Sequence, residues 1–92
     1  MVEDKQVKTL KVAATSRSTA VASAIAGVVR DWGWVELQAI GAEATNRAVK
    51  AIAFARNYLQ ADGLDVVCMP SFVEVRVDNQ DKTALRFIIE RR

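Results

Sequence analysis

Just past Gly41 the chain carries Glu43, Asn46, Arg47 and Lys50, so an amide, a guanidinium and an ammonium group gather beside one carboxylate. Such donors are suited to binding phosphate oxygens. They sit where an alternating apolar stretch turns through one glycine into a long helical pattern over residues 38–59. A strand that turns tightly into a helix start leaves backbone N–H groups unpaired and sets the positive end of the helix dipole at one edge of the domain, a seat for an anion. Glu43 favours the helix and opposes an anion at the same place.

Elsewhere the chemistry is sparse. The chain has no histidine and a single cysteine, Cys68. The usual zinc sets, every catalytic arrangement built on imidazole and any internal disulfide are therefore excluded. Carboxylates are scattered, no Gly-rich phosphate loop is present, and Asp62-Gly63 reads as a helix stop rather than a metal loop. Cys68 lies in an apolar run and reads as a small buried hydrophobe rather than a nucleophile. The expectation is a protein that binds and does not catalyse, with no cofactor, no metal and no small-molecule substrate.

The elements that must position these groups follow from periodicity. Ninety-two residues, 51% apolar and 26% charged, suit one compact domain, with residues 1–6 polar and frayed and residues 7–92 forming the domain. The formal charge is only +2, so any claim about nucleic acid rests on where the cations lie. The longest apolar run, Ala24 to Val29, is too short to span a bilayer, and the polar start is unlike a signal peptide. An intracellular, cytoplasmic protein without membrane contact is expected.

Val7 to Ala14 alternates as a half-buried strand. The polar loop Thr15 to Thr19 offers helix N-caps, and Val21, Ile25, Val28, Val29 and Trp32 form one face of a first helix that stops at Gly33. A second strand runs from about Trp34 to Ile40, and a second helix reaches about Gln60 with Ala44, Ala48, Ile52, Ala55 and Leu59 as its core stripe. Phe54 and Tyr58 fall beside that stripe, as core edge or as a subunit interface. Leu64 to Met69 reads as a central strand buried on both faces, and Pro70 as a bend or bulge before pairing resumes at Phe72. Residues 78–82 form a hairpin connection, and Thr83 to Glu90 closes the set. The predicted order is β-α-β-α-β-β, an α+β domain whose four-stranded mixed sheet carries both helices on one face. The open face is expected to hold Thr9, Lys11, Glu36, Gln38, Glu74, Arg76, Arg86 and Glu90.

The strings Lys8-Thr9-Leu10-Lys11-Val12, Ala26-Gly27-Val28-Val29-Arg30, Gln38-Ala39-Ile40-Gly41-Ala42, Asn46 to Ala53 and Val67-Cys68-Met69-Pro70-Ser71-Phe72 resemble the stage V sporulation protein S family of bacteria. More remotely, the order of elements and the Ala48-Val49 and Arg56-Asn57 pattern resemble the Alba family of dimeric nucleic-acid-binding proteins. The resemblance implies an Alba-like fold, a homodimer and a nucleic-acid partner, DNA or RNA. It places contacts at Ser16, Arg17 and Ser18 in the first strand-to-helix loop, at Asn46, Arg47 and Lys50 on the second helix, and at Asn79 and Lys82 on the hairpin. Asp78, Asp81 and Glu43 dilute this set.

A dimer through the second helix and the hairpin side draws on Phe54, Tyr58, Leu59 and Phe72. Two subunits then double a cation set that is thin in one. Each candidate also has a plain structural reading. Arg17, Arg47 and Lys50 serve as solubilising charge, Ser16, Ser18 and Thr19 as helix caps, and Arg76 and Arg86 as cross-strand partners of Glu74 and Glu90. The leading expectation is a non-enzymatic bacterial regulator that binds nucleic-acid backbone with little sequence specificity. The alternative is a protein-interaction adaptor in a developmental pathway.

Overall fold

Residues Trp34–Ala39 form the strand around which the domain is built. In the computed structural model, which describes residues 8–92, the elements are β1 (Thr9–Val12), α1 (Ser18–Trp32), β2 (Trp34–Ala39), α2 (Ala42–Gln60), β3 (Val66–Val77) and β4 (Gln80–Arg91). The expectations for residues 1–6 and for Val7 lie outside the described residues. β1 pairs with β2 in parallel, β4 pairs antiparallel with β2, and β3 pairs antiparallel with β4 at the far edge, giving the order β1-β2-β4-β3. This is the β-α-β-α-β-β mixed sheet that the periodicity predicts.

Both helices cover the sheet face that carries Val35, Leu37 and Ala39 of β2 and Phe87 and Ile89 of β4. The two helices meet largely through alanine. Ala22 and Ala26 of α1 and Ala48, Ala51 and Ala55 of α2 are buried, so small side chains bring two backbones close over the sheet while Ile25, Val29 and Leu59 fill the space beneath. Leu59 is fully buried, and it serves the core rather than a subunit interface because a side chain without exposed surface presents nothing to a partner. Trp32 turns outward, half exposed, with the Lys8 ammonium 4.7 Å from its ring centroid, so it is a surface cation–π site and not a core residue. No helix among the described residues is long and apolar enough to cross a membrane.

β3 departs most from expectation. It is an edge strand, not a central one, so Val67, Cys68 and Met69 are exposed. Cys68 is therefore not a buried hydrophobe. Its thiol is nonetheless pushed up in pKa by partial desolvation in an apolar groove with Val49, Ile52 and Phe87, which keeps it protonated and weakly reactive. Pro70 makes no bulge: pairing with β4 runs without a break from Val66↔Arg91 to Val77↔Gln80, since an edge strand tolerates a proline. Without a bulge the side-chain phase never flips. Val73, Val75 and Val77 therefore lie on the open face, and Glu74 and Arg76 share the helix-side face with Phe72. Arg76 pairs with Asp81 at 3.1 Å and Arg86 donates to Ser71 Oγ at 3.3 Å, so neither takes the glutamate partner expected of it.

At the opposite end from the helix starts, the Arg56 guanidinium hydrogen-bonds the Asp65 carboxylate at 2.8 Å. That bond, the Val66 N–H and the nearby Arg92 hold the Asp65 carboxyl below its ordinary pKa. A carboxyl depressed in the folded state adds stability above its unfolded value near 4 and loses it as pH falls through the folded value. Asp65→Asn is expected to cost a small amount of stability at neutral pH, small because the pair is solvent-exposed, and the deficit relative to the parent protein is expected to vanish as pH falls below about 4. Urea titrations across that pH range measure it.

Candidate nucleic-acid interface

β2 ends at Ala39, opposite Leu85, whereas β4 and β3 continue to Gln80 and Val77. About five residue pairs, roughly 17 Å at the rise of a strand, therefore overhang the sheet as a two-stranded arm. The arm emerges at the end where β1 and β2, being parallel, both hand over to helix starts. Ser16, Arg17, Ser18, Asn46 and Arg47 lie at this end, Asn79 and Lys82 out on the arm, and Lys50 midway along α2.

The β2–α2 joint depends on Gly41, whose φ of 92° and ψ of 162° lie in a region essentially reserved for glycine. No side chain caps α2; the Gly41 carbonyl accepts from the Thr45 N–H and hydroxyl. The β1–α1 loop is a tight turn in which the Ala13 N–H donates to Ser16 Oγ at 2.9 Å and the Ser16 N–H to the Ala13 carbonyl at 3.0 Å. The residue capping α1 is Arg17, with no side-chain cap bond, so the expected serine and threonine caps are not formed. Ser18 is the first helical residue, and its hydroxyl donates to the Arg47 carbonyl at 3.4 Å.

Arg47 is a strut between the two joints. Its Nη1 donates to the Ser16 carbonyl at 3.0 Å, and its enclosed Nε lies 3.4 Å from Glu43 Oε2, an ion-pair contact without hydrogen-bond geometry. The guanidinium thus holds the Ser16–Ser18 loop against the α2 start, and Glu43 offsets part of its charge. Asn46 and Lys50 on α2 and Arg17 beside the strut are exposed, and among the described residues Arg17 and Lys50 have no ion-pair partner.

The hairpin turn is shorter than expected. Asp78 and Asn79, with φ of 51° and 62°, make a two-residue turn with both residues left-handed, and residues 80–82 belong to β4. Asn79 and Lys82 therefore lie out on the arm, apart from the Arg17–Arg47 cluster. Lys82 stands opposite Val75 and has no ion-pair partner among the described residues.

Ion pairs occur at both ends of the molecule, Arg47–Glu43 and Arg76–Asp81 at the arm end among them. Away from the arm, Arg30 pairs with Asp62, and Arg56 and Arg92 with Asp65, leaving Arg91 as the exposed arginine there. At the arm end Lys11, Arg17 and Lys82, and midway along α2 Lys50, remain without acidic partners among the described residues. Lys11, on the open sheet face, is a residue that sequence reasoning left out of the site. Its strand position alone gave no sign that the arm would bring Val75–Val77 beside it.

The expected interface residues do not form one patch. Phe72 is 77% exposed on the β3 side of α2, whereas Phe54 and Tyr58, at 39% and 36%, face outward near Arg47. The residue missed is Val49, 51% exposed, about 140° around the helix from Phe54 and bordering the groove with Cys68. No group of three or more potential metal ligands occurs among the described residues. Residues 8–92 match the family model described as Stage V sporulation protein S.

Proposed function

The chain belongs to the stage V sporulation protein S family, a sporulation-related regulatory family, and on that premise we propose a non-enzymatic regulator that binds nucleic-acid backbone as a homodimer in the cytoplasm. The observation that carries this reading is a set of exposed cations, Lys11, Arg17 and Lys82 with Lys50 farther along α2, that stand without acidic partners among the described residues. Cations without acidic partners remain available to phosphate oxygens even where the net charge is small. Contacts of this kind position a backbone and read no bases. The second copy is supported by exposed Phe72 and Val49 along the α2–β3 groove, which would align two arms and double the cation set.

The test is a fluorescence-anisotropy titration with oligonucleotides at about 50 and 200 mM salt, alongside a solution mass measurement. Binding that weakens steeply with salt, by a dimer-sized species, is expected; no binding at the lower salt removes the reading. The exposed pair Phe54 and Tyr58 favours a second reading, an adaptor that docks a partner helix. Loss of cellular function with Phe54→Ala, together with full tolerance of Arg17→Glu, would select the adaptor.

A further inference from the structure

The arm does not project straight from the sheet. Val75 and Val77 of β3 share one cleft with Lys11 of β1 and Gln38 and Ile40 at the end of β2, although β4 lies between these strands in the sheet. The arm therefore curls over the open face. The cleft beneath it measures about 590 Å³, within the range that holds a small organic group; Val75 and Val77 line its arm side together with Arg76, and Lys11 and Gln38 supply polar groups on the floor.

Glu36 determines how the floor is presented. Its carboxylate belongs to a residue only 8% exposed and accepts from Gln38 Nε2 at 2.9 Å. A carboxylate can only accept, so the amide must turn its NH2 toward Glu36 and leave its carbonyl oxygen as the acceptor for the cleft. Lys11 borders both this cleft and a second groove, which Ser16 and Arg17 line at the start of α1. A ligand with an apolar planar body, an N–H donor on its edge and an anionic group beside Lys11 and Arg17 fits that arrangement.

Resting on the nucleic-acid reading above, we propose that the arm cleft takes one unpaired nucleobase, with Lys11 and Arg17 on the adjoining phosphates, so that the preferred ligand is a single strand. The Watson–Crick edge of every base offers an N–H donor, and in a duplex that donor is already engaged by the opposite strand. Ile40, Val75 and Val77 supply contact to the faces of any base. The site thus discriminates strandedness and not sequence.

The experiment compares three oligonucleotides of equal length and sequence, single-stranded, duplex and single-stranded with abasic sites, by fluorescence anisotropy at one salt concentration. The base-bearing single strand is expected to bind about tenfold more tightly than the abasic strand, the scale of one base contact, and more tightly than the duplex despite the duplex's higher charge density. Val75→Phe, which fills the cleft from an arm position outside the core, is expected to remove the preference while leaving abasic binding unchanged. Lys11→Gln, a surface change, is expected to weaken the single strand and the abasic strand alike. Equal binding of all three oligonucleotides, or a preference that survives Val75→Phe in a folded variant, overturns the cleft and leaves backbone binding standing. No binding of any of them overturns both.

Discussion

Replacing Leu37 by alanine is expected to lower the unfolding free energy by about 2–5 kcal/mol. Leu37 lies at the middle of β2, paired with Leu10 on one side and Phe87 on the other, and it is fully buried beneath the helices. The long helix side chains above the sheet, Ile25, Val29 and Leu59, are themselves fully buried among closely packed alanines, which leaves them little freedom to swing into the space. Poor collapse of the cavity places the cost toward the upper part of the range. A domain of this size has about 5–15 kcal/mol in total, so the loss is a large fraction of its stability. Urea denaturation monitored by tryptophan fluorescence and far-ultraviolet circular dichroism measures the change, and a loss under about 1 kcal/mol would contradict this account of the core.

The triple variant Arg17→Glu, Lys50→Glu, Lys82→Glu is expected to abolish nucleic-acid binding at moderate salt while leaving thermal stability nearly unchanged. None of the three has an ion-pair partner among the described residues, and all are exposed. Each phosphate contact contributes close to one unit of slope in a plot of log affinity against log salt, so the slope is expected to become shallower by about three units per subunit. Arg47 is left in place deliberately. It ties Ser16 to α2, and reversing its charge would perturb the loop that carries Arg17. Full retention of binding by the triple variant, with the fold intact, would remove these cations from the interface.

Much of this architecture is legible in the residues because burial on one face imposes a period. Val35, Leu37 and Ala39 alternate, and Ala44, Ala48, Ala55 and Leu59 recur at helical spacing, so β2 and α2 fall where the pattern places them. What the pattern conceals is what lies beside each element. Residues 64–69 are apolar whether a strand is central or at an edge, and β3 has no neighbour on its outer side. Reading Pro70 as a bulge then inverted the side-chain phase of everything after it, exchanging Val73, Val75 and Val77 with Glu74 and Arg76.

The site shows the same division. Arg17, Asn46 and Lys50 stand out by type, and the structure leaves all three exposed, Arg17 and Asn46 at the helix starts and Lys50 midway along α2. The role of Arg47 as a strut depends on contacts 31 and 29 residues away in sequence. No local spacing records those contacts. Likewise the cleft exists because β3 and β4 have twelve residues each against six for β2, and because the surplus ribbon curls toward Lys11.

That surplus has a mechanical consequence. Below Leu85 the ribbon is supported by a third strand and a layer of helices; above it, two strands hold only each other, an assembly close to the limit of what persists in water. Of the overhanging residues 73–77 and 80–84, Ala84 next to Leu85 is the one that is buried. The molecule therefore pairs a stiff base with a more compliant finger, whose shape is held by its own cross-strand pairing alone.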